Sequence, residues 1–139
     1  TAIAMTIRHR TAAWAIAYGL FIWLEATLII RWAGDLVFVP ESTIWTVSVF
    51  VLTAPLVYAI GWFFFATFQT PPGARAAAAV LICAAGLIAD AMVVLWIDNV
   101  FPTMTEAQAR LFAGWVPWAY GLGLLSGVWP SRLIRVPEN

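Results

Sequence analysis

Two carboxylates stand where almost nothing else in the chain is polar. Glu25 lies in Trp23–Trp32 (WLEATLIIRW), and Asp90 lies in Leu87–Trp96 (LIADAMVVLW). An acid held in hydrocarbon costs about 2.5–3.5 kcal/mol even on the lenient insertion scale, so such acids face a bundle interior and mark ion or ligand sites. Three chemistries are open to them: a shared proton, a bound cation, or a pairing with arginine. Arg31 follows Glu25 by six residues, about 9 Å along a helix, and is long enough to reach down to it or up to the interface. Asp98, Glu106 and Arg110 fall at the level of Arg31 and can form an ionic lid with it. Tyr58 and Tyr120 each follow a proline, Pro55 and Pro117, by three residues. A helix proline frees a carbonyl one turn earlier, which a tyrosine or a ligand can use. The candidate binding set is therefore Glu25, Asp90, Arg31, Tyr58, Tyr120, Asp98 and Arg110. The structural alternative is that Glu25 and Asp90 take hydrogen bonds from Thr27, Tyr or Trp side chains and hold the bundle together.

Other chemistries find little support. The single histidine, His9, sits between Arg8 and Arg10 and reads as solvated. It is on the wrong side to complete a Ser/His/Asp or Cys/His set, and a single histidine excludes a bis-histidine haem within one chain. The single cysteine, Cys83, excludes an internal disulfide and a cysteine-only metal site, and reads as packing. No glycine-rich phosphate loop occurs. The expectation is no catalytic residue, no metal and no cofactor, and the chain leans away from being an enzyme.

The elements that position these residues follow from composition. The chain has 139 residues, 63% of them hydrophobic and 10% charged, with a mean hydropathy of +0.91. Soluble domains carry about 25% charged residues, so the class is integral membrane protein, with the lipid bilayer as first partner. Net charge is zero and no basic tract exists, so nucleic acid is not a partner. Charges divide the chain into four apolar spans of the length a membrane helix needs, at about 11–33, 43–68, 74–97 and 107–129. The predicted fold is all-α, one four-helix transmembrane domain over residues 1–139. The first apolar segment is too long for a signal peptide.

Turn signals separate the spans. They are Gly34 with Pro40, the QTPPG segment Gln69–Gly73, and Pro102 followed by Thr105 as N-cap with Glu106 in the first turn. Arg8, Arg10, Arg75, Arg132 and Arg135 fall on one side, Arg31 and Arg110 on the other. The positive-inside rule then puts both termini in the cytoplasm, and the expected location is a bacterial inner membrane. Trp32, Trp45, Trp96 and Trp115 mark the outer interface, and Trp129 the inner one.

The two halves echo each other. Gly19-Leu20 leads to Glu25-Ala26 as Gly86-Leu87 leads to Asp90-Ala91, and Pro55-x-x-Tyr58-x-x-Gly61 recurs as Pro117-x-x-Tyr120-x-x-Gly123. This predicts two parallel-repeat hairpins about an axis along the membrane normal. Glu25 and Asp90 would then meet at one depth inside the bundle. Small residues at Ala79, Cys83 and Gly86, and at Ala119, Gly123 and Gly127, are expected to be close-packing seams.

Gly19–Gly34 (GLFIWLEATLIIRWAG) and Asp98–Gly127 resemble an uncharacterised family of small bacterial four-helix integral membrane proteins, a domain of unknown function. The shared signals are a W-L-x-A-T-x-x-x-R-x-x-G segment and a D-x-x-F-P turn followed by F-x-x-W. The resemblance implies the fold and carries no functional residue. Glu25 in the first of four short spans also resembles small multidrug-resistance transporters, but the arginine bias argues against their mixed orientation. Two functions lead: a transporter-like module binding a proton, cation or small molecule at Glu25 and Asp90, or a non-catalytic accessory subunit of a larger membrane complex or homo-oligomer. A lipid-modifying enzyme using the two acids as general acid and base is a weaker third.

Overall fold

The computed structural model describes residues 9–128. Arg8, Trp129, Arg132, Arg135 and the end of the predicted fourth span lie outside the described residues. The described residues form helices only: α1 (His9–Val37), α2 (Thr43–Thr67), α3 (Pro72–Leu95), a one-turn α4 (Ile97–Val100) and α5 (Glu106–Ser126). Three of them, α1, α2 and α3, are long and apolar enough to cross a membrane. The fourth predicted span corresponds to α5, whose 21 residues open with the polar Glu106, Gln108 and Arg110, and which is not among these three. The predicted third span also ends earlier: α3 stops at Leu95, and Ile97–Val100 is a separate turn.

The helix boundaries have local causes. α1 breaks at Ala33 (φ −132°, ψ 18°), beside Gly34, and adds one more turn beyond the break. Ser42 caps α2, its side chain accepting from the Trp45 N–H at 3.2 Å. The α2–α3 connection turns at Gln69, which adopts a left-handed φ of 45°. Thr105 caps α5 as its sequence predicts, with Gln108 returning the bond to the Thr105 N–H at 2.9 Å. That reciprocal pair satisfies two donors a helix start otherwise leaves bare. The Gln108 amide also donates to the Phe38 carbonyl at 3.1 Å, tying α5 to the α1–α2 loop.

The long helices pair by direction. α1 and α3 run parallel: Gly19 lies against Ile82, Trp23 reaches Asp90, and Arg31 reaches Asn99 and Val100. α2 and α5 also run parallel, from Thr53 beside Trp115 to Gly61 beside Ser126. α3 and α5 are antiparallel and close, because small residues face one another. Gly123 sits on Cys83 and Gly127 on Ala79. Two apolar cores occupy the ends of this bundle. One holds Ala15, Phe64, Phe65, Ala78 and Ala79; the other holds Ile30, Phe38, Val93, Phe101, Phe112 and Val116. Large apolar side chains outside the cores stay exposed, among them Ile44 at 83% and Trp32 at 76%. A surface this apolar suits lipid, not water.

Gly19 marks the tightest approach. A Cβ there would stand 2.3 Å from the Ile82 carbonyl oxygen, a backbone atom that cannot swing away. Gly19→Ala should therefore push α1 from α3 and destabilise the protein by about 1–3 kcal/mol. Gly121→Ala, in the same helical state with no neighbour within 4 Å of the new Cβ, should be neutral or stabilising by up to about 1 kcal/mol. Thermal unfolding of the two variants in detergent checks the contrast.

Candidate functional site

The buried acid is Asp90, and three helices converge on it. It follows Gly86 by one turn on α3, and its carboxylate is buried. From α1, Trp23 donates its indole Nε1–H to Asp90 Oδ1 at 3.0 Å. From α5, the Tyr120 hydroxyl donates to Asp90 Oδ2 at 2.7 Å. Gly86 makes the second bond possible, because a Cβ at that position would stand 2.5 Å from the Tyr120 hydroxyl oxygen. Each oxygen thus gains one neutral donor and keeps a lone pair for another.

Between the two apolar cores lies a cavity of about 170 Å³, bordered by α1, α2, α3 and α5. Asp90, Trp23 and Tyr120 line it, with Cys83 on α3 and Thr53 and Trp115 on the α2–α5 side. Thr53 is satisfied twice: its hydroxyl donates to the Val49 carbonyl at 2.7 Å and accepts from Trp115 Nε1–H at 2.8 Å. The remaining walls are chiefly aliphatic. A cavity of about 150 Å³ takes one benzene ring, so this space suits a ring-sized apolar body with one polar group turned toward Asp90.

The other predicted residues go elsewhere. Glu25 is exposed on α1 and is absent from the cavity wall, so the facing Glu25–Asp90 pair is corrected. The reason is helical phase. Matching Gly19 to Gly86 pairs Trp23 with Asp90 at the separation of 67 residues seen in their hydrogen bond. Glu25 comes two residues later, and two residues turn a helix by about 200°. Its height is close to that of Asp90, but it points the other way.

Arg31 does not descend to Glu25. Its Nη1 donates to the Asn99 carbonyl at 3.2 Å and to the Val100 carbonyl, capping the short α4. A cation suits these carbonyls because the helix dipole is negative at this end. Arg110 pairs with Glu106 at 2.6 Å on one exposed face of α5, and Asp98 is exposed in the first turn of α4. Among the described residues the predicted ionic lid is therefore reduced to one local surface pair. Tyr58 is half-buried and off the cavity wall. Tyr18 donates to the Ile60 carbonyl at 3.0 Å and Trp118 to the Phe50 carbonyl at 2.9 Å, neither of them the carbonyl four residues before Pro55 or Pro117. Trp115, assigned to the interface by position, instead points inward to Thr53.

A family of unknown function, DUF5367, matches residues 37–133. The chain belongs to this family. No curated protein and no solved structure matches it, and the likeness to small multidrug-resistance transporters gains no support. The DUF5367 match spans Asp90, Tyr120, Thr53 and Trp115, while Trp23 precedes it. Trp23 was the residue missed on sequence. The Gly19–Gly86 register held the signal, since it places Trp23 opposite Asp90.

Tyr120→Phe removes the donor to Asp90 Oδ2 and leaves that oxygen with no partner from α5. A cost of about 1–3 kcal/mol is expected. In an Asp90→Asn background the same substitution should cost less, because the two residues share one bond. A double-mutant cycle read by thermal unfolding in detergent checks the shared term.

Proposed function

We propose that the protein is a polytopic membrane protein that binds a small organic cation, or a proton in its place, at Asp90. The observation that carries this reading is a buried carboxylate on the wall of a largely apolar cavity, five residues before the end of α3, a helix long and apolar enough to suit lipid. Intramembrane acids are kept at a cost and serve ion, proton or ligand pathways by default. Asp90 supplies the negative charge, Trp23 and Tyr120 hold it in place, and the aliphatic walls take the apolar part of the ligand. A transporter-like role fits this arrangement.

The same reading takes α5 as a fourth span. Its 21 residues measure about 32 Å, enough for hydrocarbon about 30 Å thick, and it lies lengthwise against both α2 and α3. The bundle is then two hairpins, α1–α2 and α3–α5, whose corresponding helices run parallel. That pairing, with Pro55 and Pro117 at one level of α2 and α5, is what a parallel repeat would give. The arginine distribution supports cytoplasmic termini in a bacterial inner membrane.

One observation favours a second reading, an accessory or assembly subunit: Asp90 already receives a donor from each neighbouring helix, as a purely structural acid would. Calorimetry on the purified protein in nanodiscs separates the two. Benzylammonium should bind, and Asp90→Asn should weaken it at least tenfold. The neutral benzyl alcohol should bind both proteins alike. Equal benzylammonium affinity in both would refute the cation site and leave the structural role.

A further inference from the structure

The wall of the cavity is uneven. The α3–α5 seam is shut by small residues, Gly123 against the Cys83 sulfur and Gly127 against the Ala79 methyl and the Arg75 carbonyl. The equivalent α1–α2 seam has no such zipper. Toward the start of α1 it closes through aromatic side chains: Trp14 stacks on Phe68 at 5.7 Å and Tyr18 on Phe64 at 5.2 Å. Tyr18 also donates to the Ile60 carbonyl at 3.0 Å, and beyond it the helices are next joined where Trp45 Nε1–H donates to the Leu36 carbonyl at 3.0 Å. Between those points α1 presents Ile22 and Ala26 to the cavity, and α2 presents Leu56. Leu56 both lines the cavity and is 58% exposed.

Glu25 belongs to this gap. At about 100° per residue, it falls within about 20° of both Trp14 and Tyr18, the residues with which α1 touches α2. The stripe meets α2 through the half-exposed Trp14 and the half-buried Tyr18, and beyond these ring contacts it is exposed at Glu25, Ile29 and Trp32. An acid left facing lipid is costly, and here it stands at the border of a passage toward a second acid.

We infer that the opening between α1 and α2 is a lateral portal, through which cations with an apolar body, dissolved in the membrane, pass Glu25 and reach the cavity of Asp90. The inference rests on the cation-site reading for the destination. The route itself follows from the gap. The ligand class follows from the surroundings: an apolar body partitions into lipid, a positive charge is drawn to Glu25, and the cavity offers walls for the first and Asp90 for the second. A strongly hydrated ion would gain nothing from an approach through acyl chains.

Cys83, the chain's single cysteine and part of the cavity wall, is a native reporter. The protein in lipid vesicles is treated at mildly alkaline pH with a neutral, lipid-partitioning maleimide or with a sulfonated, water-soluble one, and adducts are followed by mass. The neutral reagent should label Cys83 at least tenfold faster. Leu56→Trp, which fills the gap, should slow that labelling at least threefold. A maleimide carrying a quaternary ammonium on an apolar chain should lose at least threefold in rate in Glu25→Gln, with the neutral reagent unchanged. A Thr27→Cys, Cys83→Ala protein places a second thiol on the α1 side of the cavity and repeats the comparison.

Equal rates for the neutral and sulfonated reagents, no reaction at either thiol, or no effect of Leu56→Trp overturns the portal. Identical cationic-reagent rates in the native protein and in the Glu25→Gln variant overturn the part assigned to the acid. Labelling does not require Asp90 to bind anything. Loss of benzylammonium binding with the labelling pattern intact would sink the cation site alone, and the reverse result would sink the portal alone.

Discussion

The arrangement depends on one constraint: a carboxylate in hydrocarbon must be given hydrogen-bond donors or be expelled. Asp90 is given two, from helices on either side of its own. That requirement fixes more than the acid. Tyr120 must lie over Gly86, which sets the separation of α3 and α5. Trp23 must reach across from α1, which sets the rotation of α1 about its axis. Gly19, four residues earlier, then faces the Ile82 carbonyl with no room for a side chain. The small residues and the donors are two parts of one solution, since neither Trp23 nor Tyr120 reaches Asp90 unless the backbones come this close.

The gross fold was legible because lipid reads composition. Apolar stretches bounded by arginines and prolines marked the helices to within a few residues, and Thr105 announced the start of α5 through a cap that uses only local atoms. The break in α1 at Ala33 lies where the predicted first span ends. The character of α5 was less legible for a physical reason: its first turn is polar, and its place beside α2 and α3 is a property of packing, not of composition.

The site was only half legible. That Asp90 turns into the bundle could be read from its isolation, and that Tyr120 could meet a buried polar group from its place in the P-x-x-Y-x-x-G pair. Glu25 was misplaced because likeness between halves was traced with a gap of two residues inside a helix. A loop absorbs such a gap, but a helix turns it into a rotation of about 200°, from core to surface. Tyr58 failed for a related reason. Tyr120 finds Asp90 because Gly86 clears its way, whereas Tyr58 is off the cavity wall despite an identical local pattern. Local motifs transfer between halves; the partners across a seam need not. Arg31 shows a third limit, since its targets, the carbonyls of Asn99 and Val100, exist only once α4 has formed.

The expectations for Glu25 and Tyr58 both treated the halves as equivalent, and the two hairpins are packed unequally. Had the α1–α2 seam carried the glycine and alanine contacts of α3–α5, the cavity would be sealed on both sides. Had α3–α5 been as loose as α1–α2, Tyr120 would not reach Asp90 and the acid would lose a donor. In the proposed reading the close α3–α5 seam holds the buried charge, and the α1–α2 seam, on whose stripe Glu25 stands exposed, is the path to it.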